Sequence, residues 1–124
     1  MMKVSKTKKI LVVDDDNDIR YLVQVLLTKM GHEVYQASNG AGALEILSEH
    51  IPHLVITDAV MPSINGYELL KRIKVRPETS EIPVIMLTAA KDEMDGLTFH
   101  PDGYLAKPFS LYEFWEKVGR FLSE

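Results

Sequence analysis

The sequence predicts an α/β protein in which five β-strands alternate with five helices, a (βα)5 arrangement built on one parallel sheet. Short apolar runs rich in β-branched residues alternate with longer segments whose apolar residues recur every three or four positions. Strands that alternate with helices of this length form parallel sheets with right-handed crossovers. A chain of 124 residues is long enough for one such domain.

The first strand is predicted at 10–13, a continuous apolar run typical of a strand covered on both faces. A helix follows, because apolar residues then recur at helical spacing: Ile19, Leu22, Val23, Leu26, Leu27 and Met30. Gly31 is the expected C-terminal cap residue of this helix. A second strand is predicted at 34–37, and Asn39 is expected to cap the second helix.

The third strand is predicted at 54–58. Asn65, with Glu68 three residues later, is expected to cap a third helix that ends before Pro77. The fourth strand is predicted at 83–88, and a weak acidic helix is predicted at about 91–99.

The fifth strand is predicted at 104–106. Ser110 and Glu113 have the spacing of a capping box that opens the last helix. The apolar face of that helix is expected to comprise Phe114, Trp115, Val118, Phe121 and Leu122. Because the chain stops where this helix ends, no output domain is expected.

Composition narrows the class of protein. The formal net charge of −4 argues against a generic binder of nucleic acid or anionic membranes. The absence of cysteine excludes disulfides and zinc–thiolate sites. No apolar run approaches the roughly 20 residues needed to cross a membrane, and residues 1–9 lack a signal-peptide core, so a cytoplasmic protein is predicted. The basic residues of 1–9 are interpreted as a solvated N-terminal arm: Lys3, Lys6, Lys8 and Lys9.

Carboxylates follow two of the predicted strands. Asp14 and Asp15 come directly after the first strand, and Asp58 ends the third. The carboxyl ends of parallel strands lie at one edge of the sheet, where ligands bind in open α/β folds. Three converging carboxylates repel one another, and Mg²⁺, which prefers oxygen ligands, would relieve that repulsion. Asp16 or Asp18 is expected instead to cap the first helix.

A hydroxyl and an ammonium follow two further strands. Thr88 ends the fourth strand and Lys107 follows the fifth. Taken alone, such a threonine is usually structural and such a lysine is usually a surface charge. Together with a metal they would stabilise the charge on a phosphoryl group. Since no cysteine is present and no histidine adjoins a strand end, a carboxylate is the expected nucleophile, and Asp58 is assigned that role.

Four motifs, in this order and near the usual spacing, resemble the receiver domains of two-component response regulators over residues 10–122. The motifs are Val12-Val13-Asp14-Asp15, Asp58-Ala59-Val60-Met61-Pro62 with Gly66, Ile82-Pro83-Val84-Ile85-Met86-Leu87-Thr88-Ala89, and Tyr104-Leu105-Ala106-Lys107-Pro108-Phe109. The resemblance implies a doubly wound, flavodoxin-like sheet with strand order 2-1-3-4-5 and a receiver domain at 10–123. It also implies a phosphoacceptor that assists only its own phosphorylation and dephosphorylation, rather than an enzyme acting on separate substrates.

The resemblance implies roles for the residues at the strand ends. Asp58 resembles the acceptor of a phosphoryl group from a histidine kinase or a histidine phosphotransfer protein. Asp15 resembles the direct ligand of Mg²⁺ (with Mn²⁺ able to substitute), and Asp14 the acid that holds metal-bound water. The backbone carbonyl of Val60 would complete the metal site. Lys107 would pair with Asp58 and then with the phosphate.

The same resemblance implies a switch. Thr88 would move toward the phosphate and Tyr104 would move inward, while the Lys107–Pro108 bond would be cis. The output surface would be the face of the fourth helix, fifth strand and fifth helix, which would bind a protein target. Neither direct nucleic-acid binding nor membrane binding is expected of this chain, and a monomer or weak dimer is expected.

Two stretches depart from the family pattern. The segment between Thr88 and Lys107 is about three residues shorter than usual, and His100-Pro101-Asp102-Gly103-Tyr104 replaces the common lead-in to the fifth strand. The fourth helix is therefore expected to be short or partly unwound. Val60 and Ala90, two residues after Asp58 and Thr88, offer no group to orient water, so self-dephosphorylation is expected to be slow to moderate.

Two alternative functions remain open. One is a receiver-fold adaptor that acts without phosphorylation. The other is an Mg²⁺-dependent phosphatase with an aspartyl nucleophile, which would usually carry a second acid at the position of Val60. Of the other residues, Tyr112, Phe114 or Trp115 could anchor a partner, and four histidines are expected in surface or turn positions: His32, His50, His53 and His100.

Overall fold

A computed structural model of the chain describes residues 6–89 and 98–122. Five strands are found there: β1 Lys9–Val13, β2 Glu33–Ala37, β3 Leu54–Asp58, β4 Val84–Thr88 and β5 Gly103–Ala106. Four helices accompany them: α1 Asn17–Lys29, α2 Gly40–Leu47, α3 Gly66–Val75 and α4 Leu111–Leu122. Each strand lies within one residue of its predicted bounds.

The five strands form one parallel sheet in the order β2-β1-β3-β4-β5, which confirms the predicted α/β class and strand order. The register pairs Val13 with Thr57 and Asp58 with Leu87. The ends of β1, β3 and β4 are therefore adjacent at the carboxyl edge of the sheet. This is the edge at which the sequence places its carboxylates.

Alternating residues of each strand face opposite sides of the sheet, and each side is covered by helices. On one side, Leu11, Val13, Val55 and Met86 pack with residues of α2 and α3. On the other side, Ile10, Val12, Ile56, Ile85 and Leu87 pack with residues of α1 and α4. Burial on both faces explains why the central strands are continuously apolar in the sequence.

The predicted helix caps are present. Asn39 Oδ1 accepts the Gly42 N–H at 2.7 Å, and Asn65 Oδ1 accepts the Glu68 N–H at 2.9 Å. Ser110 and Glu113 exchange the two hydrogen bonds of a capping box. Asp16 caps α1, accepting from the N–H groups of Asp18 and Ile19.

Gly31 ends α1 with a left-handed backbone, φ 98°. Its N–H donates to the Thr28 carbonyl at 2.9 Å, and the His32 N–H donates to the Leu27 carbonyl at 3.1 Å. This pair of bonds is a Schellman motif, which requires a residue that tolerates positive φ.

The segment between β4 and β5 is described only in part. Most of the helix predicted at about 91–99 lies outside the described residues, and its last two positions, Thr98 and Phe99, form a bend. The helix after β5, predicted as the fifth, is therefore α4 here. Before β5, Asp102 bridges β4 and α3: its Oδ2 accepts the Val84 N–H at 2.7 Å and lies 3.2 Å from Lys74 Nζ.

The start of β1 is held by two histidines. Lys9 already pairs in β1, so it belongs to the sheet and not to the predicted arm at 1–9. His32 Nδ1 accepts the Lys8 N–H and His53 Nδ1 accepts the Lys9 N–H, both at 3.0 Å. His32 lies in the turn after α1, as expected, but its ring is buried and not at the surface. In the ranges 6–89 and 98–122 no helix is long and apolar enough to cross a membrane.

Candidate active site

The three carboxylates predicted to converge do so. Asp14 and Asp15 follow β1 and Asp58 ends the adjacent β3, and one carboxylate oxygen from each lies within 4.8 Å of the others. Asp14 is fully buried, Asp58 is nearly so, and Asp15 is exposed. The cluster therefore has a closed floor and one open side.

Lys107 places its ammonium among these carboxylates. Its Nζ lies 3.2 Å from Asp14 Oδ2 and donates to Asp58 Oδ1 at 3.2 Å. Its backbone N–H donates to the Thr88 carbonyl at 2.8 Å, which ties the residue after β5 to the end of β4. The Lys107–Pro108 peptide bond is cis, as the resemblance implied.

The electrostatics of the cluster are set by burial and by the close charges. Burial raises the pKa of Asp14 above its usual 3.8, and the Asp58 carboxylate adds to the rise. The Asp16 N–H and Lys107 oppose this effect without cancelling it. Burial alone would lower the pKa of Lys107, but Asp14 and Asp58 outweigh it and raise the pKa above its usual 10.5. The lysine is therefore charged at neutral pH, and the acidic cluster remains only partly compensated.

The acidic cluster fits a small divalent cation. Within the described residues no group donates a hydrogen bond to the buried Asp14 Oδ2, although the Lys107 ammonium lies nearby. Oxygen ligands on three carboxylates within 4.8 Å form the donor set that Mg²⁺ prefers, with waters completing its shell. A bound cation would also offset the repulsion from Asp58, which adds to the effect of burial in raising the pKa of Asp14.

The other predicted site residues lie at or near the ends of β3, β4 and β5. Thr88 is buried at the end of β4, one residue after Leu87, the partner of Asp58 in the sheet. Tyr104 lies in β5 opposite Met86, two residues before the partner of Thr88. Since residues two apart share a face, Thr88 and Tyr104 lie on the same face of the sheet. The Tyr104 side chain is 39% exposed, and Val60, in the loop after β3, is 78% exposed.

Arg20 contacts the loop that carries Asp14 and Asp15, although none of the four sequence motifs includes it. Its guanidinium Nη1 donates to the Asp14 backbone carbonyl at 2.7 Å, and Nη2 donates to Asn17 Oδ1 at 2.7 Å. The signal in the sequence is faint: a single cation one turn into the helix that follows an acidic run.

A cavity of about 320 Å³ opens beside the acidic cluster. Asp15 lines one side of it, and the turn before α2 and the loop before α3 line the rest through Ser38, Asn39, Gly40, Ala41, Pro62 and Ser63. The open side of the cluster is therefore accessible to a molecule larger than water.

Most of the chain matches a known protein family. The model of the response regulator receiver domain family matches residues 10–119. Among curated proteins, a probable transcriptional regulator, ycf27, of Cyanidium caldarium is 40% identical over 116 residues, which are 91% of this chain and 45% of that protein. The transcriptional regulatory protein AfsQ1 of Streptomyces coelicolor is 37% identical and covers 80% of this chain and 44% of its own length. The chain thus spans about half the length of the curated relatives it matches.

Solved structures resemble the fold closely. The chemotaxis response regulator CheY4 of Vibrio cholerae superposes with a TM-score of 0.88 at 29% identity, covering 94% of this chain and 100% of that one. The response regulator TrrA of Thermotoga maritima, solved in complex with Mg²⁺–BeF, superposes with a TM-score of 0.84 at 36% identity, with coverage of 94% and 100%.

Proposed function

The chain belongs to the family of response regulator receiver domains, and on that premise we propose that Asp58 accepts a phosphoryl group from the phosphohistidine of a histidine kinase or of a histidine phosphotransfer protein. One observation carries the proposal: the carboxylates of Asp14, Asp15 and Asp58 and the ammonium of Lys107 converge at one sheet edge. With a divalent cation held by the carboxylates, the site would offer two positive groups, the cation and Lys107, to stabilise an incoming phosphoryl group.

In the proposed step, an Asp58 carboxylate oxygen bonds to phosphorus as the phosphorus–nitrogen bond breaks, and the donor imidazole leaves with the electron pair. Lys107 Nζ, 3.2 Å from Asp58 Oδ1, is close enough to contact the phosphoryl oxygens and to neutralise part of their charge. Positioning and charge stabilisation account for most of the catalysis in phosphoryl transfer, so little further chemistry is needed from the protein.

We assign the metal to the same cluster. Asp15 and Asp58 would bind Mg²⁺ directly, Asp14 would hold metal-bound water, and the Val60 carbonyl would complete the protein ligands. When bound, Mg²⁺ would neutralise charge on both the carboxylates and the phosphoryl oxygens. The exposure of Asp15, beside the open cavity, supports entry of the ion and of the donor from that side.

The switch that we propose runs from Thr88 to Tyr104. The phosphate would draw the Thr88 hydroxyl and the Lys107 ammonium toward itself, favouring a conformation that is minor before phosphorylation. Thr88 and Tyr104 lie on one face of the sheet, which supports a coupling in which movement of Thr88 would change the space beside Tyr104. The half-exposed Tyr104 borders a groove of about 250 Å³ between β5 and α4, which belongs to the proposed output surface.

The lifetime of the phosphorylated form depends on whether a side chain near Asp58 can orient an attacking water. Val60 extends into solvent after β3 with an apolar side chain that cannot orient an attacking water. Ala90, the second position considered, lies outside the described residues. We therefore propose slow to moderate self-dephosphorylation, and a measured acyl-phosphate half-life of only seconds would contradict it.

The test is labelling of the purified chain with acetyl phosphate, read as a gain of one phosphoryl group by intact mass. The wild type should label with Mg²⁺ and not with excess EDTA, and Asp58→Asn should abolish labelling. Asp18→Asn is the matched control, because Asp18 is an exposed acid in the first turn of α1, outside the cluster. Full labelling of Asp58→Asn would overturn the assignment of the phosphoacceptor.

The same experiment separates the two alternatives. A phosphorylation-independent adaptor would not label, and its partner binding would be the same with and without beryllofluoride. A phosphatase would release many equivalents of phosphate from a phosphomonoester for each protein molecule. A receiver would instead stop at one phosphoryl group per chain, apart from slow turnover of its own acyl phosphate.

A further inference from the structure

The peptide group between Asp14 and Asp15 is held by a side chain from α1. Arg20 Nη1 donates to the Asp14 carbonyl at 2.7 Å, and the contact is partly buried. The second terminal nitrogen, Nη2, donates to Asn17 Oδ1 at 2.7 Å, also across the start of α1. Arg20 therefore fixes the loop that carries two of the three clustered carboxylates.

This contact matters because consecutive strand residues face opposite sides of a sheet. Asp14 and Asp15 are consecutive, yet one carboxylate oxygen from each lies within 4.8 Å of the other and of Asp58. The chain must therefore leave the extended conformation at the peptide that joins them. The carbonyl that Arg20 holds belongs to that peptide.

The other polar groups of Asp14 are also held. Its N–H donates to the Ala37 carbonyl at 3.2 Å, and its Oδ1 accepts the Asp16 N–H at 2.9 Å. Only Oδ2, buried and 3.2 Å from Lys107 Nζ, is left to face the cluster. The N–H, Oδ1 and carbonyl of Asp14 are therefore all fixed, which sets the direction of Oδ2. Of these three hydrogen bonds, only the bond to the carbonyl comes from a side chain, that of Arg20.

Arginine suits this place better than lysine. Its planar guanidinium reaches two acceptors with two nitrogens in a fixed geometry, whereas a lysine has one nitrogen at the end of a flexible chain. Its charge also offsets the acidic run that begins with Asp14.

We propose that Arg20 is a positioning residue of the metal site: it holds the Asp14–Asp15 peptide in the turn that presents both carboxylates to one cation. The inference rests on the proposed function, because it takes the cluster as the Mg²⁺ site. Removing a residue that hydrogen-bonds to a metal ligand and orients it commonly weakens metal affinity by about 10–100-fold.

The test is the affinity for Mg²⁺ alone, measured by isothermal titration calorimetry at a temperature where every variant is folded by circular dichroism. Arg20→Ala should weaken Mg²⁺ binding by about tenfold. Arg20→Lys should restore part of the loss, and Asn17→Ala, which frees Nη2 but leaves the carbonyl bond, should give a smaller loss. Arg72→Ala is the matched control, since Arg72 pairs with Glu68 on the exposed face of α3 and its removal should leave affinity unchanged.

The possible results distinguish failure of this inference from failure of the proposed function. Wild-type protein that does not bind Mg²⁺ would contradict the proposed function itself. Wild-type binding with equal affinity in Arg20→Ala would overturn the positioning role alone. If Arg20→Ala does not fold, Arg20→Lys and Asn17→Ala decide: wild-type affinity in both would refute the role, and a graded loss would support it.

Discussion

Gly66, the first residue of α3, faces the backbone carbonyl of Asp58 with no room for a side chain between them. A Cβ on Gly66 would overlap that carbonyl oxygen and would lie 2.8 Å from Met86 Sδ and 3.0 Å from Ala59 Cα. The Gly66 N–H donates to the Ala59 carbonyl at 2.9 Å. The start of α3 is thus pressed against the strand end that carries the proposed phosphoacceptor.

Gly66→Ala is expected to destabilise the fold by about 1–3 kcal/mol, the usual cost of forcing extra volume into a packed site. The reason is that two of the three obstructing atoms belong to the backbone, which cannot rotate away as a side chain can. Urea denaturation followed by circular dichroism measures the change in the free energy of unfolding.

Gly119→Ala is the matched control for this substitution. A Cβ at Gly119, inside α4, would meet no atom within 4 Å among the described residues beyond its chain neighbours and the backbone of its own helix. Alanine there should stabilise the protein by about 0.5–1 kcal/mol, because it restricts the unfolded chain and favours the helix. Equal effects of the two substitutions would contradict the account of a close approach at Gly66.

Asp14→Asn is expected to stabilise the protein when no divalent cation is present. Burial and the neighbouring Asp58 carboxylate raise the pKa of Asp14, so its charged form is disfavoured in the folded state. Removing that charge should raise the melting temperature in EDTA by a few degrees, since about 1 kcal/mol corresponds to roughly 4–8 °C in a domain of about 100 residues. The same variant should lose stabilisation by Mg²⁺, as calorimetric melting with and without the ion would measure.

The control for Asp14→Asn is Asp18→Asn. Asp18 is an exposed acid in the first turn of α1, where its charge favours the helix dipole, so its removal should slightly lower the melting temperature. Destabilisation by Asp14→Asn in EDTA would show that the pairing of Asp14 with Lys107 outweighs the burial of its charge.

Some features were predictable from the sequence because they depend on local patterns. The strand ends that carry Asp14, Asp58 and Thr88 follow from apolar runs, and the caps at Asn39 and Asn65 follow from residue type and spacing. Convergence of the strand ends then follows from parallel topology alone.

Other features depend on how far a side chain reaches in three dimensions. The Arg20 side chain contacts a carbonyl six residues earlier in the sequence, and Lys74 contacts Asp102, 28 residues later. Neither spacing is part of a repeating pattern. The buried His32 ring accepts a hydrogen bond from the Lys8 backbone, although the stretch before β1 has the composition of a solvated arm.

Asp102→Ala is expected to destabilise the protein by about 1–2 kcal/mol. The substitution leaves the Val84 N–H at the start of β4 without its acceptor and removes the carboxylate partner of Lys74. Urea denaturation measures the loss.

Glu78→Ala is the control for Asp102→Ala, because Glu78 pairs with Arg76 at 3.8 Å on an exposed turn. The control should change the free energy of unfolding by less than about 0.5 kcal/mol. Equal losses would mean that the bond to Val84 contributes nothing.

His32 should make the stability of the fold depend on pH. Burial lowers the pKa of His32 below its usual 6.5, and electrostatic interactions with Lys8 and His53 lower it further. The neutral ring accepts the Lys8 N–H through Nδ1, and protonation of Nδ1 would remove that acceptor. The unfolded chain therefore binds the proton more readily, so this contribution to stability is complete above pH 6.5 and is lost as the pH falls from there toward the lower folded pKa.

The measurement is the difference in the free energy of unfolding between about pH 8 and about pH 5, the range over which histidine titrates. His32→Gln should shrink that difference, because glutamine keeps an acceptor but does not titrate. His100→Gln should leave it unchanged, since His100 is exposed before β5. A His32 ring that titrates above 6.5 by nuclear magnetic resonance, or an unchanged pH dependence in His32→Gln, would show that the bond to Lys8 does not select the neutral ring.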